Sequence, residues 1–226
     1  TERRFPAKAT CLAIYSRAVN ARASVEEALK SFPWCADWAA ELKRLFGAYV
    51  AAKQTGNVLD YDDLLLYWAE MAADPVLAAG LAARFDHVLI DEYQDTNRLQ
   101  AEVLAALRPD GTGVTVVGDD AQAIYSFRAA AVDNILGFPG RFTPRAEVVT
   151  LAQNYRSTQP VLDVANALMA EAPRQYRKHL LSTRGDGPRP TMVTVDDQPA
   201  QAEFVCSQVL KKREMNVPLR RQAVLF

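Results

Sequence analysis

The chain contains little cysteine: Cys11, Cys35 and Cys206 are its three cysteines and lie far apart in 226 residues. An odd number of distant cysteines without a C-x-x-C pair argues against both a disulfide framework and a zinc site. This pattern is typical of a reducing compartment, so we expect a cytoplasmic protein.

The chain also has almost no net charge, because its 26 Lys and Arg residues nearly balance its 27 Asp and Glu residues. No overall positive field therefore indicates nucleic-acid binding, and local patches must provide any such contact. No apolar run reaches the roughly 18 residues of a membrane span, and TERRFPAKAT lacks the apolar core of a signal peptide. The chain starts at Thr1 rather than Met, and we expect it to be a piece of a longer protein.

The length of 226 residues fits one large domain or two small ones, and half of the residues are hydrophobic, as in an ordinary soluble globular protein. The first 85 residues have helical patterns: one helix over WCADWAAELKRLFGAYVAAKQTG, ended by Gly56, one that begins at Asp60 and one with Pro75 near its start. The predicted apolar face of the first of these comprises Trp34, Trp38, Leu42, Leu45 and Tyr49.

From Asp86 the pattern changes to short apolar runs, HVLIDE, GVTVVGDD and EVVTL, which predict strands. A helix capped by Thr96 separates the first two, so they predict a parallel strand–helix–strand unit. Helices near 158–171 and 198–213 alternate with predicted strands TMVTVD and RRQAVLF. The sequence predicts an α/β fold with a helical region over 1–85, a parallel core over 86–151 and a second α/β unit over 152–226.

Acidic residues directly follow the first predicted strand: Asp91 and Glu92 come after VLI. In open parallel sheets, ligands bind at the carboxyl ends of the strands. In nucleotide hydrolases an acid in this place holds Mg²⁺, and a neighbouring carboxylate takes a proton from the attacking water. The alternative is a solvated acidic turn before the next helix, but the YQDT that follows favours the functional interpretation.

The second predicted strand also ends in acids, within VVGDDAQAIYSFRAA (116–130). Gln122 has a side chain able to sense a γ-phosphate or its attacking water by hydrogen bonding. Tyr125, Phe127 and Arg128 form an aromatic and basic cluster suited to single-stranded nucleic acid, since bases stack on aromatic rings. In isolation, a core Tyr and Phe beside a surface Arg is the better interpretation of this cluster.

A third segment, LAQNYRSTQP (151–160), precedes a predicted helix. Tyr155 can stack on a planar base, and Arg156 can neutralise charge on a phosphate during transfer. Taken alone, this segment is better interpreted as a polar strand-to-helix turn.

Together, DEYQDTN, VGDDAQAIYSFR and QNYRST resemble motifs II, III and IV of superfamily-one DNA helicases of the UvrD/Rep/PcrA type, in the same order and at similar spacing. LDYDDLL resembles a stretch that the family carries upstream of motif II. The resemblance implies two RecA-like domains of the P-loop NTPase class, with ATP and Mg²⁺ between them. It also implies 3′–5′ translocation on single-stranded and forked DNA, and DNA-repair or replication proteins as partners, with no membrane.

The resemblance further implies roles at the ATP site. Asp91 would bind Mg²⁺, and Glu92 would activate the hydrolytic water. Gln122 would contact the γ-phosphate and couple it to the DNA site. Tyr155 would stack on adenine, and Arg156 would act as an arginine finger from the second domain.

For the DNA site, the resemblance implies contacts from Tyr125, Phe127 and Arg128. The sequence departs from the family pattern nearby, where members commonly have an acid at 121, a Trp at 127 and glycines at 126 and 129; here these positions are Ala121, Phe127, Ser126 and Ala129. Phe127 keeps an aromatic face for stacking, so the expected DNA contact is retained.

No phosphate loop of the form G-x-x-x-x-G-K-[ST] occurs in the 226 residues, and the later motifs of the family are also absent. We interpret the chain as the middle of a helicase, inactive alone and an ATP hydrolase when complete. The alternative is a stand-alone, non-catalytic DNA-binding or adaptor domain. A third possibility, a nucleotide-binding domain unrelated to DNA, fits poorly with the co-occurrence of AIYSFR and QNYRST.

Overall fold

The computed structural model describes residues 4–124 and 132–225, and in these the chain is α/β. The α-helices are α1 (Lys8–Asn20), α2 (Val25–Leu29), α3 (Ala39–Thr55), α4 (Tyr61–Ala73), α5 (Pro75–Ala82), α6 (Arg98–Leu107), α7 (Val132–Gly137), α8 (Gln159–Ala170) and α9 (Gln198–Glu214). The strands are β1 (Val88–Ile90), β2 (Val114–Val116), β3 (Gln153–Asn154) and β4 (Leu181–Ser182). Short 3₁₀ helices lie at Pro33–Trp38, Tyr93–Asp95, Asp120–Gln122, Phe138–Arg141 and Leu219–Arg221.

The chain divides into two compact units. The first comprises Thr1–Ala152 and Ala167–His179, and the second comprises Gln153–Asn166 and Leu180–Phe226. The helical N-terminal region and the β1–α6–β2 segment therefore belong to the first unit, whereas β3 and β4 belong to the second.

Three helix ends predicted in the N-terminal region are confirmed. Gly56 is the C-cap of α3. Asp60 caps α4 in a reciprocal capping box, in which its carboxylate accepts from the Asp63 N–H and the Asp63 carboxylate accepts from the Asp60 N–H. Pro75 occupies the first turn of α5, where backbone N–H groups have no partner within the helix, so the missing N–H of proline costs no hydrogen bond.

The predicted apolar face of the longest N-terminal helix is only partly correct. Leu42 is fully buried, as expected, but Trp34 is 69% exposed and Leu45 is 42% exposed. Trp34 belongs to the 3₁₀ helix at Pro33–Trp38, which has about three residues per turn, so its spacing does not continue onto the face of α3. Phe46, which lies one turn after Leu42, completes the buried face instead.

A buried ion cluster fastens α3 to the start of α4. The Lys53 ammonium lies 2.7 Å from a carboxylate oxygen of Asp60 and 2.7 Å from one of Asp63. It also donates to the Tyr15 hydroxyl at 3.1 Å and lies 4.6 Å from the centre of the Tyr49 ring. Each face of the cation therefore has a partner, as a buried charge requires.

The predicted parallel strand–helix–strand unit is confirmed. β1 pairs with β2 in parallel, with Val88 opposite Val114 and Ile90 opposite Val116, and α6 connects them. The N-cap of α6 is Asn97 rather than the predicted Thr96. The Thr96 hydroxyl donates instead to the Tyr93 carbonyl at 2.7 Å and closes the preceding 3₁₀ turn, which moves the start of the helix by one residue.

Three other predicted strands are wrong in the described residues: 147–151, the TMVTVD segment and the described part of RRQAVLF adopt no strand. In the first of these, Val149 is 74% exposed and Leu151 is 79% exposed. β-branched composition favours an extended chain, but a strand forms only where a second backbone supplies hydrogen bonds.

The second unit contains a small parallel sheet in which β3 pairs with β4. The α8 side chains hold β4 in place: Gln159 accepts from the Ser182 N–H at 2.9 Å, and Asn166 both donates to the Leu180 carbonyl and accepts from its N–H. The later helix α9 starts at an Asp197 cap, close to the predicted start at 198.

In the part of the chain that the structure describes, no single helix is long and apolar enough to cross a membrane. Among residues 4–124 and 132–225, α4 and α5 are together long and apolar enough, but they are bent by 100° relative to each other.

Candidate active site

The carboxylates of Asp91 and Glu92 lie at the carboxyl end of β1, where the sequence predicts them. Both side chains are exposed. Asp91 accepts the Glu92 N–H at 2.9 Å, and Glu92 has left-handed backbone angles, with φ of 49° and ψ of 41°. A left-handed backbone in a residue other than glycine costs about 1–2 kcal/mol, so the surrounding packing must hold it.

Tyr93 supplies much of that packing. Its ring is fully buried and meets Phe138 edge to face, with ring centres 5.2 Å apart. Its N–H donates to the Val117 carbonyl at 2.9 Å, which extends the β1–β2 pairing beyond both strands. The turn that carries Glu92 is therefore fixed on its inner side by apolar burial and on its backbone by the neighbouring strand end.

Gln94 connects the two strand ends. Its amide nitrogen donates to the Glu92 carboxylate at 2.7 Å, and its amide oxygen accepts from the Asp119 N–H at 3.0 Å. The side chain of Asp119 in turn accepts from the Gln122 amide at 3.1 Å. Glu92 and Gln122 are thus joined by hydrogen bonds through Gln94 and Asp119.

Gly118 provides the room for this connection. A Cβ atom at this position would lie 2.7 Å from the Gln94 amide oxygen and 2.8 Å from the Ile135 Cδ1 atom. Real Cβ atoms do not approach other atoms so closely, so any other residue here would displace the buried Gln94 amide or the Ile135 side chain.

The acids at the end of β2 have a cationic partner. Lys178 is ion-paired with Asp119 and lies 3.0 Å from an Asp120 carboxylate oxygen. Burial alone would lower the pKa of Lys178, but the hydrogen bonds to the two carboxylates outweigh it and raise this pKa. Burial would likewise raise the pKa of Asp119, but hydrogen bonds from Lys178 and Gln122 leave that pKa below its ordinary value.

The chain segment around Lys178 is fastened to the same unit by further contacts. The Tyr176 N–H donates to Asp120 at 2.9 Å, and the Tyr176 hydroxyl donates to the Ile135 carbonyl at 2.9 Å. Arg174 pairs with Asp133 at 2.7 Å. These contacts hold the segment that carries Lys178 against the elements that follow β2.

The exposed Gln122 lies in the 3₁₀ helix after β2. The predicted DNA-binding residues Tyr125, Phe127 and Arg128 lie outside the described residues, so their placement stays a prediction.

Tyr155 and Arg156 lie in the second unit, directly after β3. The Tyr155 ring is 71% exposed, and its hydroxyl donates to Gln153 at 3.0 Å. The Asn154 side chain accepts the Arg156 N–H at 2.9 Å and so fixes the turn, while the Arg156 side chain is exposed. Both side chains are exposed, and their expected roles in adenine stacking and charge neutralisation stay predictions.

Comparison with known families accounts for both parts of the chain. A family model described as the UvrD/REP helicase N-terminal domain matches residues 1–143. A second, the UvrD-like helicase C-terminal domain, matches residues 149–226. The chain belongs to the UvrD/Rep helicase family. The predicted family and its α/β helicase fold are thereby confirmed.

Several curated helicases of this family are similar to the chain over most of its length. ATP-dependent DNA helicase UvrD2 of Mycobacterium tuberculosis (strain ATCC 25618 / H37Rv) is 36% identical over 195 residues, which cover 83% of this chain and 28% of the relative. ATP-dependent DNA helicase PcrA of Leuconostoc citreum is 34% identical over 75% of this chain and 23% of the relative. DNA helicase II of Escherichia coli (strain K12) is 33% identical over 81% of this chain and 26% of the relative. The chain spans roughly a quarter of the length of these relatives.

Within this UvrD/Rep helicase chain, the sequence singles out Glu92 and Gln122 but neither Gln94 nor Lys178. Gln94 lies inside DEYQDTN, and its position two residues after Glu92 is the sequence feature that indicates its hydrogen bond to Glu92. Lys178 lies 59 residues after Asp119, and nothing in the sequence connects the two.

Proposed function

We propose that the complete protein carrying this chain is an ATP-dependent DNA helicase that moves 3′ to 5′ along single-stranded DNA and unwinds duplex. The observation that carries the proposal is the pair Asp91 and Glu92, exposed at the carboxyl end of β1 and joined to Gln122 by hydrogen bonds. Membership of the UvrD/Rep family supports it, and so do the similar proteins named as ATP-dependent DNA helicases.

In this proposal Glu92 accepts the proton of the attacking water, since its carboxylate is exposed and oriented by Gln94. Gln122 donates a hydrogen bond to the γ-phosphate, and the exposed ring of Tyr155 stacks on adenine. Arg156 neutralises negative charge that develops on the transferred phosphoryl group. Tyr125, Phe127 and Arg128 contact the DNA strand, as the sequence predicts.

The residues present also fit a magnesium ion. The described residues contain no cluster of three or more metal-ligating side chains, but Mg²⁺ is commonly held by one or two carboxylates together with substrate phosphates and water. Asp91 offers such a carboxylate, with one oxygen turned to the Glu92 N–H. When bound there, Mg²⁺ neutralises charge on the β- and γ-phosphates.

We further propose that this chain contributes part of a RecA-like first domain and the start of a second, in a cytoplasmic protein. The absence of a phosphate-loop motif from the 226 residues favours one rival, a non-catalytic DNA-binding or adaptor domain. A phosphate loop elsewhere in the complete protein supports the helicase, and its absence there supports the adaptor.

The test is DNA-stimulated phosphate release from ATP by the complete protein. We expect turnover that the Glu92→Gln variant lowers at least 100-fold, because general-base catalysis contributes about 10²–10⁴ in rate. Glu171→Gln, at an exposed position after α8, is the matched control and should leave the rate unchanged. The 226-residue chain alone should show no turnover; turnover by the chain that Glu92→Gln abolishes would contradict the need for a phosphate loop.

A further inference from the structure

Gln94 is one of the most completely buried polar side chains in the described residues, with 1% of its surface exposed, although its neighbour Glu92 is exposed. Both ends of its amide are used, one toward Glu92 and the other toward the Asp119 backbone. A buried amide with both ends bonded is held in one position, because any rotation leaves a polar group unpaired.

The chemistry of the partners fixes which way this amide points. A backbone N–H can only donate, so the Gln94 oxygen must face Asp119. The amide nitrogen must then face Glu92, where it can only donate. The Glu92 oxygen that it meets accepts this hydrogen bond, which fixes the orientation of the carboxyl group.

We propose that Gln94 is a positioning residue for the ATP hydrolysis proposed above. It holds the Glu92 carboxylate in one orientation as an acceptor, and it couples this orientation to Asp119 and Gln122 at the end of β2. The inference rests on the proposed function, since it assigns Gln94 to the proton-accepting step of that reaction. Gln94 itself does not contact the reacting atoms.

Two features of the surroundings support this role. Gly118 leaves space for the amide oxygen, since a Cβ there would lie 2.7 Å from it. The Gln94 side chain bonds to Glu92 and to the Asp119 N–H, and the Asp119 carboxylate is already paired with Lys178. The Gln94 amide nitrogen therefore donates to the charged side chain of Glu92.

A Gln94→Glu substitution separates this role from simple packing, because it keeps the shape and the acceptor toward Asp119. A protonated carboxyl group at this position still donates to Glu92. An ionised one repels it, and two like charges at this distance oppose ionisation of the second. The rate should therefore fall as the pH rises and the introduced group loses its proton.

The experiment measures DNA-stimulated ATP hydrolysis by the complete protein from pH 6 to 9. For Gln94→Glu we expect a rate within a few-fold of wild type near pH 6 and at least tenfold lower at pH 9, since one unit of pH changes the protonated fraction up to tenfold. For Gln94→Leu we expect kcat at least tenfold lower with KM for ATP within about twofold, as expected when a positioning contact acts in the transition state.

Gln100→Glu is the matched control, because Gln100 is an exposed glutamine whose side-chain oxygen only accepts from the Asn97 N–H. Its pH profile should run parallel to that of the wild type. The inference would be overturned by a Gln94→Glu pH profile parallel to that of the wild type, or by a Gln94→Leu variant that changes KM rather than kcat. In either case, DNA-stimulated hydrolysis by the wild type would still uphold the proposed function. A wild-type protein without DNA-stimulated hydrolysis would overturn both.

Discussion

Replacing Lys53 by Met should destabilise the chain far more than removing an exposed lysine. Lys53 has a side chain only 9% exposed and forms ion pairs at 2.7 Å with Asp60 and with Asp63. Methionine keeps the apolar stem and removes the ammonium, so the change tests the charge rather than the packing.

The expected loss in the free energy of unfolding depends on the two carboxylates that remain without their cation. Removing one partner of a buried ion pair costs about 3–5 kcal/mol, because the other charge stays buried and unpaired. Here the Asp60 side chain is 27% exposed and keeps hydrogen bonds from Tyr49 and from the Asp63 N–H. Asp63 is 10% exposed and keeps the Asp60 N–H. We therefore expect the lower end, about 3 kcal/mol, out of the 5–15 kcal/mol typical of a folded domain.

The ion cluster also predicts a dependence on pH. Burial alone would raise the pKa of Asp60, but hydrogen bonds from Lys53, the Asp63 N–H and Tyr49 leave it below its ordinary value. A carboxyl group with a depressed folded-state pKa stabilises the fold above its unfolded-state pKa, near 4, and this stability is lost as the pH falls through the folded-state pKa. The Lys53→Met variant should show a weaker loss in this acid range, because part of the depression comes from Lys53.

Urea unfolding followed by circular dichroism at neutral pH measures the free energy of unfolding of each variant. The matched control is Lys43→Met: Lys43 is 53% exposed and pairs with Glu26 at 2.5 Å, and pairs at such exposed sites contribute little. Equal losses in the two variants would refute the reasoning that burial of the pair, rather than its short distance, sets its contribution.

Three further predictions use the same unfolding measurement. Gly47→Ala, inside α3 with nothing within 4 Å of an added Cβ, should stabilise by about 0.5–1 kcal/mol, whereas Gly118→Ala should destabilise by about 1–3 kcal/mol through its close contacts. Lys178→Met should destabilise by about 2 kcal/mol at neutral pH and weaken the acid-range loss that the depressed pKa of Asp119 predicts. Asn97→Ala removes the α6 cap and a buried 2.8 Å bond to Asn20, so it should cost about 2 kcal/mol, more than Ser24→Ala at the exposed α2 cap.

Local sequence patterns predicted two strands and one helix start correctly. β1 and β2 follow from continuous apolar runs that end in acids, and the α4 start follows from Asp60, whose capping contact reaches only three residues along the chain. The apolar run at 147–151 has the same composition but no partner strand among the described residues, and composition alone does not reveal a partner. The Thr96 prediction failed because Thr and Asn are both good caps, and only the preceding 3₁₀ turn decides between them.

Long-range contacts explain the part of the candidate site that sequence reasoning did not find. The sequence places four carboxylates at two adjacent strand ends: Asp91, Glu92, Asp119 and Asp120. In the fold, Lys178 comes from a distant segment and pairs with Asp119 and Asp120, and the Asp120 side chain is only 3% exposed.

This division assigns different tasks to the two acidic pairs. Asp119 already accepts from Lys178, Gln122 and the Ala121 N–H, so it has little capacity left for a metal ion. Asp91 and Glu92 remain exposed, and their oxygens are directed by single short contacts. Within the described residues, the β1 acids are therefore the accessible carboxylates of this edge, and the β2 acids form the structural base that Gln94 connects to them.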